Sequence, residues 1–164
     1  MKNIAIILAG GSGNRLGSDL PKQFLKVAGK KIIEHTIDTF ENNENIDEIA
    51  IVSREDYVPQ VEQMVLDNQY KKVRKVLTGG KERYDSSLSA IAAYDDDNCN
   101  LLFHDAVRPL VNDRIIDDCI KLSRSIRLSM WLCVPRIPSC RWMTTSALPT
   151  SRRAPCCATD RRRS

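Results

Sequence analysis

At 164 residues the chain is the size of one domain, and no stretch of it is long and apolar enough to span a bilayer as a helix. Its formal charge of +4 hides two unlike parts: residues 1–121 hold 16 Lys and Arg against 20 Asp and Glu, whereas residues 122–164 hold nine Arg against one Asp. The N-terminus opens on an apolar run without the order of a signal peptide, so the protein is expected in the cytoplasm with its six cysteines reduced.

Residues 4–9 (Ile-Ala-Ile-Ile-Leu-Ala) form a continuous apolar run that stops at glycine, the pattern of a strand buried on both faces of a parallel sheet. Residues 31–41 carry Ile32, Ile33, Thr36, Ile37 and Phe40 at helical spacing. Residues 48–53 read as a second strand. Residues 58–68, with Val58, Val61, Val65 and Leu66, read as a second helix. A third strand is expected over 73–77, and a third helix over 86–94 with Leu88, Ile91 and Ala92 facing inward. A fourth strand follows over 100–104, and a fourth helix begins over 113–121. This alternation predicts an α/β fold, a Rossmann-like sheet of mainly parallel strands with flanking helices. The loops 10–22, 78–86 and 104–109 each follow a strand. They therefore converge at the strands' carboxyl ends, where such sheets bind ligands.

Each loop carries chemistry. Gly10, Gly11 and Gly13 let backbone N–H groups approach an anion, although the loop has neither the Gly-Lys-Ser/Thr of a P-loop nor a third dinucleotide-type glycine. Arg15 and Lys22 suit triphosphate oxygens, the first by a forked contact and the second as a point charge. In Gly79-Gly80-Lys81-Glu82-Arg83-Tyr84-Asp85-Ser86, Asp85 or Ser86 fits a helix N-cap. Alternatively, the segment closes over a base or ribose with Ser86 donating a hydrogen bond. In His104-Asp105-Ala106-Val107-Arg108-Pro109, Asp105 stands where a strand meets the phosphates and suits Mg²⁺. Arg108 then holds a substrate phosphate; the plainer alternative is an Asp105–Arg108 pair bracing the loop. His104 reads as structural.

Together these segments resemble the cytidylyltransferases that act on sugar-alcohol phosphates, the group containing the methylerythritol 4-phosphate and ribitol 5-phosphate enzymes. The resemblance covers residues 1–121 and implies a glycosyltransferase-A-like nucleotidyltransferase domain that is C-terminally incomplete. It implies that Leu8, Ala9, Gly10, Gly11 and Gly13 bind CTP, that Arg15 and Lys22 carry the reaction, and that Gly80 and Ser86 meet the cytosine. Asp105 is implied as the ligand of Mg²⁺ or another divalent cation, Ala106 as a nucleotide contact and Arg108 as a substrate contact. Lys81 stands where some members carry an acidic residue. The implied reaction is attack of a polyol phosphate on the α-phosphorus of CTP, with release of pyrophosphate. Leu8-Ala9-Gly10-Gly11 and His104-Asp105-Ala106-Val107-Arg108-Pro109 lean toward the ribitol 5-phosphate branch, since methylerythritol members usually show Ala-Ala-Gly and Asp-Ala-Ala-Arg there.

Residues 122–164 depart from the family. Neither the projecting arm of its homodimer nor its later substrate-site segments are readable, and Arg, Ser, Pro and Cys dominate without periodicity. Codons built from the last base of one triplet and the first two of the next restore familiar words. Trp142-Met143-Thr144 then forces Asp-Asp and Met130-Trp131 forces Val, while residues 137–144 permit Asp-Thr-Ile-Val-Gln-Val-Asp-Asp and 160–164 permit Gly-Gln-Thr-Pro-Gln. The other alternative frame meets a forced stop across Met143-Thr144. The expectation is a frameshift near Lys121–Leu122, leaving residues 122–164 as an out-of-frame tail that forms no domain, and a chain of impaired activity. Cys133, Cys140, Cys156 and Cys157 lack the paired spacing and neighbouring His of a zinc site. The alternatives are another sugar-phosphate nucleotidyltransferase, or a non-catalytic fragment that binds nucleotide or nucleic acid through the basic tail. The tail lacks interleaved aromatics, so nucleic acid is the weaker of these.

Overall fold

Ile4, Ile6 and Leu8 point to one side of the first strand and Ala5, Ile7 and Ala9 to the other, and all six are buried. A strand apolar on both faces needs cover on both, and the fold supplies it. The computed structural model describes residues 1–11, 20–80, 82–95, 98–125 and 130–131. In chain order the elements are β1 (Lys2–Ala9), β2 (Lys26–Val27), β3 (Lys30–Lys31), α1 (Ile32–Asn42), β4 (Glu48–Ser53), α2 (Val58–Asp67), β5 (Val73–Thr78), α3 (Arg83–Ala92), β6 (Cys99–Asp105), α4 (Asp113–Ser125) and β7 (Met130–Trp131). Every strand and helix read from the sequence is present. The β2–β3 hairpin was not foreseen; its turn places Ala28 and Gly29 at φ 50° and 85°.

The main sheet has the order β5-β4-β1-β6-β7, and all its pairings are parallel. The connections from β1 to β4 and from β4 to β5 run in one direction, and α1 and α2 lie together on one face. The chain must then return past β1 to reach β6, which puts α3 on the opposite face. The cores record this split. Ile33, Ile37 and Phe40 of α1, Val61 and Met64 of α2, and Ile116 and Ile120 of α4 pack on Ala5, Ile7, Ile49 and Ile51. Across the sheet, Ala90 and Tyr94 pack on Ile4, Ile6, Ala50, Val52 and Phe103.

Helix α3 corrects two expectations. It begins three residues before Ser86, and its N-cap is Glu82, whose N–H donates to Asp85 at 3.0 Å. Neither Asp85 nor Ser86 is the cap. Its inward face is Ser86, Ser87 and Ala90, while Leu88 and Ile91 are 44% and 40% exposed and Ala92 is exposed. The two stripes have the same helical spacing, so periodicity alone could not choose between them. Small side chains win because the return crossover lies close against β1 and β4.

Two elements extend beyond Lys121. Helix α4 runs to Ser125, and β7 pairs with Leu102 and Phe103 at the sheet edge.

Candidate functional site

Successive strands run one way from β1 through β4 to β5, and β6 lies on the other side of β1. The strand order therefore reverses between β1 and β6, and a crevice opens outside their carboxyl ends. There the structure has a cleft of about 810 Å³, within the range of small-molecule sites. Leu8, Ala9, Gly10 and Gly11 line it from β1, Gly79, Gly80, Glu82, Arg83 and Ser86 from the segment after β5, and Asp105 and Val107 from β6. The described parts of the three loops singled out from sequence thus meet at one place.

The glycines are there for close approach. A Cβ on Gly79 would lie 2.5 Å from Ser86 Oγ, and one on Gly80 would collide with Asp85 Cβ. Ser86 Oγ stands 3.4 Å from the Cβ that Gly10 lacks. The Ser86 hydroxyl, 4% exposed, is therefore enclosed by the backbone of two loops while donating a long 3.3 Å bond to the Glu82 carbonyl. The Gly79 N–H donates to the Ser53 carbonyl at 2.7 Å, fixing this turn over the end of β4. The first glycine turn is held by Gln23, which lies in a 3-10 turn at Lys22–Phe24. Its buried amide donates to the Ala9 carbonyl at 2.8 Å and to that of Gly11 at 3.3 Å.

The segment after β6 is fixed from behind. Ala106 N–H donates to the Leu8 carbonyl at 3.0 Å, and the Ala106 carbonyl accepts from Thr36 Oγ1 at 2.9 Å. His104 is 1% exposed and bonds the Arg108 carbonyl through Nε2 at 3.0 Å, with its ring against Phe40. A carbonyl only accepts, so the Nε2 atom carries the proton. Burial holds the imidazole below its usual pKa and therefore neutral. This is the structural role expected for His104.

Asp105 is ion-paired on one oxygen with Arg83 Nη2 at 2.9 Å, and its other oxygen accepts from Arg108 Nε at 2.8 Å. The bracing pair with Arg108 is formed, and Arg83 joins it. Among the described residues no three His, Cys, Asp or Glu side chains gather into a cation cage. One carboxylate still fits Mg²⁺, which commonly takes one or two protein carboxylates and draws its other ligands from phosphates and water. Asp105 would be that donor.

Of the other expected residues, Lys22 is half-buried beside Gln23, Ala106 is buried, and Arg108 reaches the cleft through Asp105. Gly13, Arg15 and Lys81 lie outside the described residues. The sequence reading missed Arg54, Glu55 and Asp56, which line the cleft from the end of β4. They too follow a strand, and that position was the available signal. It also missed Gln23 and Arg83 as parts of the site.

A family model described as IspD, 2-C-methyl-D-erythritol 4-phosphate cytidylyltransferase, matches residues 3–138. The chain belongs to the IspD family. The bifunctional ribulose 5-phosphate reductase/CDP-ribitol pyrophosphorylase Bcs1 of Haemophilus influenzae is 50% identical over 121 residues, 73% of this chain and 26% of that protein. A 2-C-methyl-D-erythritol 4-phosphate cytidylyltransferase of Lachnospira eligens is 38% identical over 117 residues, 71% of this chain and 51% of that protein. The solved 4-diphosphocytidyl-2C-methyl-D-erythritol synthase of Anaerococcus prevotii superposes with a TM-score of 0.63 at 30% identity, covering 76% of this chain and 52% of that one. The chain thus spans between about a quarter and about half of the length of these relatives. The IspD-family sheet is the one described above. No helix among the described residues is long and apolar enough to cross a membrane.

Proposed function

We propose that this IspD-family domain serves CTP-dependent cytidylyl transfer to a sugar-alcohol phosphate in the cytoplasm. The observation that carries the reading is the meeting of Gly10–Gly11, Gly79–Gly80–Ser86 and Asp105 around one cleft at the sheet's reversal point. The backbone N–H groups of Gly10, Gly11 and Gly13 are the ones we assign to the phosphates. Arg15 and Lys22 offset the negative charge that grows on them as the α-phosphorus is attacked. Leu8, Ala9, Gly80 and Ser86 hold the nucleoside, with the Ser86 hydroxyl turning from Glu82 to the base. Ala106 closes the nucleotide site from β6, and Arg108 orients the acceptor phosphate, whose oxygen attacks as the bond to pyrophosphate breaks. A divalent cation at Asp105, when bound, neutralises phosphate charge and polarises the reacting phosphorus. Positioning and charge account for the chemistry, and no covalent nucleophile is required.

Ribitol 5-phosphate is the acceptor we favour over methylerythritol 4-phosphate. The Leu8-Ala9-Gly10-Gly11 and His104–Pro109 words support it, as does the higher identity to the CDP-ribitol pyrophosphorylase. We read residues 1–121 as the N-terminal part of the domain and 122–164 as translated out of frame, so the acceptor half of the site and the homodimer arm are missing from this sequence. Calorimetry with Mg²⁺ and CTP, UTP or GTP tests the nucleotide half on the 164-residue chain. Binding of CTP at least ten-fold tighter than GTP is expected, and equal or no binding overturns the reading. Resequencing the DNA across the codons for Lys121 to Met130 tests the frame. A recovered base gives a full-length protein, in which pyrophosphate release with ribitol 5-phosphate against methylerythritol 4-phosphate decides the acceptor. An unchanged sequence puts the frameshift in the gene itself, and robust turnover by the 164-residue chain refutes the claim of impairment.

A further inference from the structure

The carboxylate assigned to a cation is already neutralised. Asp105 Oδ1 and Oδ2 each receive a guanidinium, from Arg83 at 2.9 Å and Arg108 at 2.8 Å. The two arginines differ in origin. Arg108 is three residues from Asp105 and belongs to the same turn, closed by Arg108 N–H donating to the Asp105 carbonyl at 3.1 Å. Arg83 comes from the far side of the site. It is the first residue of α3, after β5, and in the sheet β5 is separated from β6 by β4 and β1. Three inter-strand spacings of about 4.8 Å separate β5 from β6, roughly 14 Å. The chain covers that distance by folding back over the ends of β4 and β1, where Gly79 bonds Ser53 and Ser86 abuts Gly10. The Arg83–Asp105 pair therefore joins the two walls of the cleft at the position the phosphates would occupy.

We infer that Arg83 is the resident counter-cation of Asp105, a latch across the cleft that suppresses binding of free divalent cation and is released to the phosphates when nucleotide arrives. The inference rests on the proposed function in taking Asp105 as the cation ligand and the cleft as the place of the nucleotide phosphates. Its chemistry is exchange of partners. Mg²⁺ alone must displace a guanidinium from Asp105 and leave that guanidinium beside a second positive charge. A nucleotide–cation complex brings phosphate oxygens that accept the displaced guanidinium, and phosphate can take it by a forked contact. Cation and nucleotide then enter together, and the cation is not stored beforehand. Arg83 is well placed to move because its side chain is 54% exposed, while Asp105, at 16%, stays fixed at the strand end. Arg108 keeps its Nε on Asp105, which holds the turn formed while its terminal nitrogens serve the acceptor phosphate.

The test is a Mn²⁺ titration of the purified chain without nucleotide, with free ion read by electron paramagnetic resonance. Arg83→Gln is expected to bind Mn²⁺ about ten-fold more tightly than the wild type, equivalent to about 1.4 kcal/mol. The gain disappears in the double variant Arg83→Gln/Asp105→Asn, and Arg83→Lys, which keeps the charge, shows less than a third of it. If Arg83→Gln lacks the wild-type circular dichroism spectrum, Arg83→Met retains the aliphatic stem and replaces it. Equal Mn²⁺ affinity in a folded Arg83 variant and the wild type overturns the latch, as does a gain that survives loss of the Asp105 carboxylate. Because no nucleotide is present, a failure here leaves the CTP reading standing. Failure of CTP binding in turn leaves this measurement interpretable.

Discussion

Replacing Gly79 by Ala places a methyl group 2.5 Å from Ser86 Oγ, 3.1 Å from Val52 Cγ1 and 3.3 Å from Ser86 Cβ. Val52 is fully buried on β4 and cannot yield, so the Ser86 hydroxyl must. Overpacking of this kind costs about 1–3 kcal/mol. Stiffening the unfolded chain by Gly→Ala returns about 0.4–1 kcal/mol, so a net loss of about 1–2 kcal/mol is expected. Ser86→Ala alone sacrifices only a 3.3 Å hydrogen bond, worth about 0.5–1 kcal/mol at most. In the double variant the 2.5 Å clash is gone and only the 3.1 and 3.3 Å contacts remain. The two losses should therefore fall short of additivity by about 1 kcal/mol, and the unfolded-state term cancels from the cycle. Urea denaturation of the four proteins measures this coupling, and 1 kcal/mol corresponds to roughly 3–5 °C in Tm for a domain of this size. Additivity within about 0.3 kcal/mol would refute the claim that Gly79 exists to admit the Ser86 hydroxyl.

Three further outcomes are expected. Thr36→Val keeps the side-chain shape but removes the 2.9 Å donor to the buried Ala106 carbonyl, and should cost about 1–2 kcal/mol by urea denaturation; a neutral result would show that α1 does not pin the turn after β6. Ala28→Gly relieves a left-handed φ of 50° in the β2–β3 turn and should raise stability by about 0.5–1 kcal/mol, so a fall in Tm contradicts the strain. Tyr70 is driven above its usual pKa of 10 by burial and by its 2.8 Å bond to Asp38. The unfolded chain releases that proton near pH 10 and the folded chain does not, so the stabilisation is whole below pH 10 and is lost as pH rises beyond it. Urea midpoints at pH 9, 10 and 11 should fall less steeply for Tyr70→Phe than for the wild type. Lys30, raised chiefly by its hydrogen bond to the same Asp38, leaves a residual slope in the variant. Identical slopes would exclude the Tyr70 contribution.

The sequence by itself determined the α/β alternation, the burial of β1 on both faces and the three strand-end loops that build the cleft. Each is written in local signals: Ile4 to Ala9 form an unbroken apolar run, and glycines stop the chain where a strand ends. Parallel order then sends every such loop to one edge of the sheet, so local reading was enough to gather Gly10, Gly80, Ser86 and Asp105. What only the tertiary structure decided depends on contacts between distant residues. Ser86, Ser87 and Ala90 face the sheet while Leu88 and Ile91 do not, because a crossover pressed against β1 and β4 selects small side chains over apolar ones. Arg54 to Asp56 line the cleft because β4 ends beside β1. Arg83 and Asp105 are 22 positions apart in sequence, and only Asp105 was read as part of the site. They form one ion pair because α3 must return over the sheet to start β6, and no periodicity or spacing in the chain encodes that closure.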